Sequence, residues 1–455
     1  MPRQVPFIAW AFLSSAIALS GQIAGQESPR DYSPHPSEQQ LPRAMHSEMA
    51  ERPEISVGVD SGVLRGNDNR ALQAAVDYVA ALGGGTVRIG PGEYTMRDSL
   101  HLRSGVQVIG SGKDTVLTKA PGIVFDLGID GDFGEQQITA KDGVQLQAGQ
   151  GIAVWDAQAG GFHTTVARIT GKNNNIYSID QPLMADCLVS RGAKAGTLFP
   201  VISGYNIIDA SVSKLTVDGN KRQNAHLNGC RGGGIFLYRA FGTVIDDCEV
   251  RSYNGDGISF QQSNDVVVTN CVVHGNTQLG LHPGSGSQRP LIRNCVARNN
   301  GTDGLFLCWR VRHGTFEDNL IENNGRFGIS IGHKDSDNLL TKNTVRSNHS
   351  NGIFFRDESL GMGAHRNRIV ANTIEDNGKA AGTAAIRVRG ETHGLVFENN
   401  TIRDTRPQPT QTIGLQLEAK VGNVELETNH IEAQQRIVDQ RSDASNPASL
   451  NEKRN

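Results

Sequence analysis

Five dipeptides limit what this chain can fold into: Gly257-Ile258, Gly280-Leu281, Gly304-Leu305, Gly328-Ile329 and Gly352-Ile353 recur at intervals of 23, 24, 24 and 24 residues. Each opens a short run in which apolar residues alternate with others. A second apolar pair follows, introduced by Asn or Cys, as in Asn319-Leu320-Ile321, Asn343-Thr344-Val345, Asn372-Thr373-Ile374 and Asn400-Thr401-Ile402. A polar turn such as Glu322-Asn323-Asn324-Gly325 then closes the unit. A unit of about 24 residues with two or three very short strands and no helical period cannot bury a face alone. It must stack on its neighbours. Strands of successive units then lie ~4.8 Å apart, in register, around a continuous core of Ile, Leu and Val. The spacing predicts an all-β fold, a right-handed parallel β-helix, with Asn or Cys ladders at its corners. A leucine-rich repeat has a similar period, but its LxxLxLxxN phrase is missing and no helix fits between the strands.

Composition agrees. Glycine is abundant, 53 of 455 residues, whereas Pro is only 16 and no G-X-Y period exists, so collagen is excluded and turn-dense β structure is favoured. Asparagine is uneven, with 5 in the first 200 residues and 19 between Asn254 and Asn400, which sets the repeat apart from the rest. A hydrophobic content of 37% and a net charge of −3 exclude a disordered chain and a basic nucleic-acid binder.

The chain divides into six segments. Residues 1–25 read as a signal peptide: Met1-Pro2-Arg3, an apolar run from Phe7 to Leu19, then small and polar residues. That run is too short to span a bilayer, which needs ~20 residues, and nothing later is long and apolar enough. The expectation is an exported protein, periplasmic or extracellular, without membrane insertion. Residues 26–53 are a linker rich in Pro, Ser, Gln and Glu. Residues 54–128 hold an N-terminal cap and the first coils, with an amphipathic helix opening at Asp68, a capping candidate. Over residues 129–200 the repeat lapses, and Gly151–Trp155 and Ile176–Asp180 read as strands of an inserted β element. Coils resume over 201–435, and 436–455 is a polar tail. Six cysteines in an exported chain suggest disulfides. Cys248, Cys271 and Cys295, however, fall 23 and 24 residues apart in like phrases, and they read as a buried stack rather than as bridges or metal ligands.

Alternation also assigns faces. If the Ile or Leu after each Gly points inward, the residues two and four past the Gly point outward, and the next two form a turn. Stacking gathers these into one patch. The candidate catalytic residues there are His282, His333, Lys334, Arg310 and His313. The candidate substrate-binding residues are Trp309, Arg312, Arg356, Asp335, Asp337, Asp357 and Glu358, with Arg387 and Arg389 one coil further. Imidazoles and cations concentrated on a slightly acidic protein suggest an anionic ligand, and an aromatic beside them suits a sugar ring.

The order Ala71-Leu72-Gln73-Ala74-Ala75-Val76, Gly83-Gly84-Gly85-Thr86-Val87 and Pro91-Gly92-Glu93-Tyr94 resembles the N-terminal cap of pectate-lyase-like β-helix proteins. The phrase Leu279-Gly280-Leu281-His282-Pro283-Gly284, followed by Asn300-Gly301-Thr302-Asp303-Gly304, is similar to the catalytic modules of mannuronan C5-epimerases and related β-helix lyases. In those a Tyr-Gly-Phe-Asp-Pro-His phrase precedes Asn-Gly-x-Asp-Gly coils. The Pro matches, while Leu279, His282 and Gly284 stand at the family's Tyr, Asp and His positions and Cys308 at its later Asp. The resemblance implies a place on the fold rather than a residue list.

Two chemistries follow for a polysaccharide ligand. Removal of the C5 proton of a uronate needs a cation on its carboxylate, a base and a proton donor. Arg310, Lys334 or Arg356 suit the first need, and His282, His313 or His333 the others, with His282 and His333 the expected acid/base pair. Elimination makes a lyase and reprotonation on the opposite face an epimerase. The alternative is a glycoside hydrolase with carboxylate pairs drawn from Asp335, Asp337, Asp357 and Glu358. A noncatalytic carbohydrate-binding or envelope protein is the third reading. The sequence requires no cofactor. Ca²⁺ is the cation that Asp335, Asp337 and Asp357 could suit, although no loop has a specific Ca²⁺ spacing. Oligomeric state is left open.

Overall fold

The computed structural model describes residues 51–441, except residue 142, and 450–453; the expected signal peptide and nearly all of the expected linker lie outside the described residues. An α-helix, Asn69–Ala81, starts where Asp68 accepts a hydrogen bond from the Arg70 amide, and it buries Leu72, Ala75, Val76 and Val79 against the first strands. It packs on Glu54–Gly58, Gly85–Ile89 and Leu100–His101, so it covers the first rung of the stack.

Behind it the chain winds as a right-handed parallel β-helix of three sheets, with 14, 11 and 11 strands. A single rung shows the pattern: Thr315–Glu317 joins the first sheet, Leu320–Glu322 the second and Ile329–Ile331 the third. Register is kept from rung to rung, with Ile292, Phe316 and Leu340 aligned on the first sheet, Ala297, Ile321 and Val345 on the second, and Leu305, Ile329 and Ile353 on the third. All nine are fully buried. Each such Leu or Ile adds ~1.5–3 kcal/mol from burial, which no single rung could collect alone.

The asparagines serve the corners. Between the first and second sheets one residue adopts a left-handed conformation, with φ of 50° to 55° at Asp247, Asn270, Asn294, Asp318 and Lys342. Asn and Asp tolerate that region better than other residues with a Cβ. The next residue stacks in a row: Cys248, Cys271 and Cys295, then Asn319, Asn343, Asn372 and Asn400. The cysteines are free and buried, with the Cys271 thiol on the Thr269 carbonyl. A second ladder runs Asn276, Asn300, Asn324, Asn348, Asn377. The repeated glycine makes room for it, since a Cβ on Gly304 would stand 2.6 Å from Asn324 Nδ2.

Between the rungs of Leu100–His101 and Ile202–Tyr205 lies a separate six-stranded antiparallel sheet, from Val124–Asp126 to Lys194–Gly196, with its own core of Ile152, Val154, Ile169, Tyr177 and Ile179. Both expected strands, Gly151–Trp155 and Ile176–Ile179, belong to it. At its junction the buried Lys119 ammonium donates to the Thr197 carbonyl and sits 3.4 Å from the Phe199 ring centroid. Burial pushes this amine down to about 7. At the other end Gln435–Asp439 pairs with Ile413–Leu417, and Leu450–Lys453 pairs with Val424–Glu427, so strands continue into the segment whose composition reads as a polar tail. No helix among the described residues is long and apolar enough to cross a membrane.

Candidate active site

The third sheet presents two outward rows. Ser203, Phe236, Ser259 and His282 form one, continued by Phe306, Ser330 and Phe354. Tyr205, Tyr238, Gln261, Gly284 and Cys308 form the other. At their centre the His282 ring is held at Nδ1, which donates to Asp256 Oδ2 at 2.7 Å. Both side chains are almost wholly buried, with exposures of 4% and 0%. The other oxygen, Asp256 Oδ1, accepts from the Leu279 amide, so the carboxylate cannot turn away. With Nδ1 carrying hydrogen toward Asp256, the second nitrogen, Nε2, is left as the lone-pair site, and it has no protein partner. The Phe306 ring stands edge-on to the imidazole at 5.5 Å.

On the other side of Phe306 lies Arg356, its guanidinium 4.5 Å from the ring centroid. It reaches back across the rungs to the Leu307 carbonyl (2.7 Å), Ser330 Oγ (2.9 Å) and Asp335 Oδ2 (3.0 Å). Its Nε, like His282 Nε2 and Gln261 Oε1, is buried without a protein partner. Asp335 is fully buried and also accepts from the Val311 and Gly332 amides. Burial pushes its carboxyl up to about 7, against the opposing pull of Arg356 and those amides.

At the corner beyond the sheet, His333 stacks on Trp309 with ring centroids 5.4 Å apart, and its Nε2 faces Glu358 Oε1 at 3.0 Å. Burial, then the charge of Arg356, holds this imidazole below its ordinary range, while Glu358 pulls the other way. Arg310, exposed, lies 5.8 Å from the Trp309 ring, and Lys334 shares the corner, its amide bonded to the Met362 carbonyl. Trp309, Arg310, His333 and Lys334 all have positive φ, from 48° to 69°.

Other candidates are drawn elsewhere. Arg312 and His313 sit one turn further along the rung, beside Asp337, whose carboxylate is clamped by Arg366 at 2.6 and 2.8 Å. Asp357 pairs with Arg389 at 3.1 Å, and Arg387 and Arg389 converge on Glu418. Of the four carboxylates considered for a hydrolase, Asp335, Asp337 and Asp357, the three also considered for Ca²⁺, each face an arginine, and Glu358 faces the His333 imidazole. Among the described residues no group of three or more His, Cys, Asp or Glu is arranged to hold a metal ion. His282 and His333 are not neighbours: two rungs separate them, ~10 Å by strand spacing, and one lies on a strand, the other at a corner.

By position alone, one residue before the strand glycine Gly257, Asp256 reads as a turn cap. The missing signal was a comparison between rungs. Asp303, one position before its glycine as Asp256 is, bonds Arg326 at 2.7 and 2.8 Å. At the place of Arg326 the Asp256 rung has Gln278, so no arginine competes for the carboxylate. Ser259 and Gln261, also unassigned by sequence, floor the site: Gln261 Nε2 donates to Ser259 Oγ, which donates to the Gly229 carbonyl at 2.6 Å. The segment around Gly229 thus packs against Ser259 and Asp256, and a Cβ at that glycine would overlap Asp256 Oδ2.

Comparison with known proteins follows this geometry. The model of a right handed beta helix region matches residues 210–360. Over 295 residues, 63% of this chain, the sequence is 24% identical to the mannuronan C5-epimerase AlgE3 of Azotobacter vinelandii, of which the match covers 11%. It is 25% identical to AlgE2 of the same organism, with 21% of that protein covered. The chain therefore spans only a small part of the curated relatives it matches. Among solved structures, the A-module of the Azotobacter vinelandii mannuronan C-5 epimerase AlgE4 superposes with a TM-score of 0.56 at 19% identity, covering 85% of this chain and all 100% of that one. The AlgE6 A-module gives 0.51 at 16% identity, over 88% and 100%. The shared feature is the fold: this chain is a right-handed parallel β-helix that resembles epimerase modules.

Proposed function

We propose that the protein acts on a uronate polysaccharide of the mannuronan class by abstracting the C5 proton, with His282 as the base. The observation that carries this is the Asp256–His282 pair, which leaves Nε2 as an unpartnered nitrogen on the outward face of the third sheet. Nε2 takes the C5 hydrogen as a proton while the electron pair moves into the adjacent carboxylate. That group becomes an enolate dianion in character and needs a cation. Arg356, across Phe306 from His282 and with Nε unused, is the nearest candidate, and Arg310 and Lys334 add positive charge at the corner. The pair then either expels the C4 glycosidic oxygen, which leaves as a hydroxyl with the proton held on Nε2 or one from water, forming a C4=C5 double bond, or takes a proton from water at C5 on the opposite face, Nε2 later releasing its own to solvent. The imidazole is 4% exposed, so the surface around it must open for a sugar to reach Nε2.

The mannuronan C5-epimerases that the chain resembles support the same substrate class. The test is incubation with polymannuronate in D₂O, read by NMR for deuterium at C5 and by absorbance for unsaturated uronate. Deuterium without absorbance identifies an epimerase and absorbance a lyase. Turnover by His282→Ala equal to the parent protein would remove His282 from the role.

A further inference from the structure

Two rungs below His282, at Tyr238, a second aromatic and cationic station lies on the edge that carries Trp309. The half-buried Tyr238 ring has two guanidinium groups on it, Arg231 at 5.6 Å and Arg239 at 5.2 Å. Arg231 is a fixed member, donating from Nε and Nη2 to the Phe162 carbonyl of the inserted sheet at 2.7 and 2.5 Å. Arg239 is exposed, and its Nε donates to Gln262 Oε1 at 3.2 Å. Tyr205 backs the platform, its ring 6.2 Å from Tyr238.

The position along the edge is fixed by register. Tyr238 pairs with Gln261, Gln261 with Gly284, and Gly284 with Cys308, so the corner residues Arg239, Gln262, Ser285 and Trp309 form one row, all with positive φ. Tyr238–Arg239 and Trp309–Arg310 are each an aromatic residue followed by an exposed arginine, three rungs apart, ~14 Å, with Tyr238 on the strand row and Trp309 one position further, on the corner row. A 1,4-linked pyranose chain advances by roughly one rung spacing per residue, about 5 Å.

Resting on the proposed function, we infer that Tyr238 and Arg239 form a distal binding station for an anionic sugar, working with Trp309 and Arg310 to hold a polyuronate chain along the helix axis. Each ring stacks on a pyranose face and each exposed guanidinium meets a carboxylate. Sugars three apart occupy the two stations, so a tetrasaccharide is the shortest ligand to engage both, and the His282 rung lies between them. The inserted sheet has a role in this scheme: through Phe162 it anchors Arg231 beneath the platform.

The experiment is calorimetric titration of His282→Ala protein, which does not turn the ligand over, with oligomannuronates of two to six residues and with neutral manno-oligosaccharides of the same lengths. The expected result is a step of about tenfold or more in affinity between three and four residues, for the acidic series alone. Adding Arg239→Ala or Tyr238→Ala should abolish the step, while Tyr238→Phe, which keeps the ring, should retain it. A step that survives Arg239→Ala, a smooth rise with length, or equal binding of the neutral series overturns the station and leaves the proposed function standing. Absence of binding by any oligomannuronate overturns the proposed function itself. Arg239 is exposed and packs into no core, so its variant isolates the interaction from folding.

Discussion

Asp256 Oδ2 fixes His282 through Nδ1 at 2.7 Å, a contact made across one rung of the β-helix between two side chains that solvent hardly reaches. A buried carboxylate behind an imidazole selects one tautomer and stabilises the imidazolium when a proton is taken at the far nitrogen. The Asp256→Asn variant keeps the shape, but its amide can donate to Nδ1 and force hydrogen onto Nε2. We expect kcat on polymannuronate to fall ~100-fold or more in both His282→Ala and Asp256→Asn, within the range of general acid–base contributions. Circular dichroism should remain that of the parent. If Asp256→Asn retains parental kcat, the pair is only structural.

The Trp309–His333 stack gives an optical readout of the corner. His333 is held below its ordinary range by burial and by Arg356, so it stays neutral until acid conditions. Because the unfolded chain binds this proton first, the contribution to stability is full above pH ~6.5 and is lost as pH falls through the lower folded value. A charged imidazole against the indole should quench its emission. Indole fluorescence should therefore drop only on acidification below the ordinary imidazole value of ~6.5, and His333→Gln should remove that drop. An identical profile in the variant would detach the signal from His333.

Asp335 has the opposite sign. Its folded carboxyl lies at about 7 against 3.8 in the ordinary state, so between those values the folded protein holds the proton more tightly. Stability from this group is present below pH ~4 and is lost as pH rises toward 7, by up to about 4 kcal/mol. Urea midpoints of the parent and of Asp335→Asn, measured at pH 4.5 and 7.5, should differ in their pH dependence, with the variant gaining relative to the parent at the higher pH. Parallel curves would contradict this.

The ladders carry a plain stability prediction. Asn324 Oδ1 accepts from the Asn300 amide and carboxamide at 3.1 Å each, and Nδ2 donates to the Ala297 carbonyl and to Asn348 Oδ1 at 3.0 and 2.9 Å. Replacing it with Ala strands partners in the rungs on both sides. The loss should be about 3 kcal/mol or more by urea denaturation, against roughly 0.5 kcal/mol for an exposed substitution such as Lys342→Ala. A loss under about 1 kcal/mol would mean that water replaces the ladder.

The fold was legible because its signal is repeated. Alternation after each Gly assigned the inward Ile258, Leu281, Leu305, Ile329 and Ile353, and the matching offset of Cys248, Cys271 and Cys295 announced a stack. The site was legible only as a neighbourhood. His282, Arg356, Trp309 and His333 do share one face and edge, but pairings such as Asp256–His282 or Asp337–Arg366 depend on how side chains bend between rungs. Offsets place a Cα on a row and say nothing of where a guanidinium ends, which is why Arg356 could not be foreseen lying back over Phe306. Asp256 was missed for a related reason. Its position accepts from a backbone amide of the next rung, as Asp303 does from Phe327, and Gln278 in the place of Arg326 leaves the second carboxylate oxygen to His282.

Because the binding edge repeats with the coil, its length is heritable in whole units. A tandem duplication of one 24-residue segment between Tyr238 and Trp309 would keep the stacking pattern, since each rung offers its neighbours a small corner residue, Cys or Asn, and the same inward Ile or Leu. It would move the two aromatic stations apart by about 5 Å. Descendants of such a gene could measure out longer stretches of polymer by copying DNA, without reinventing a single side chain.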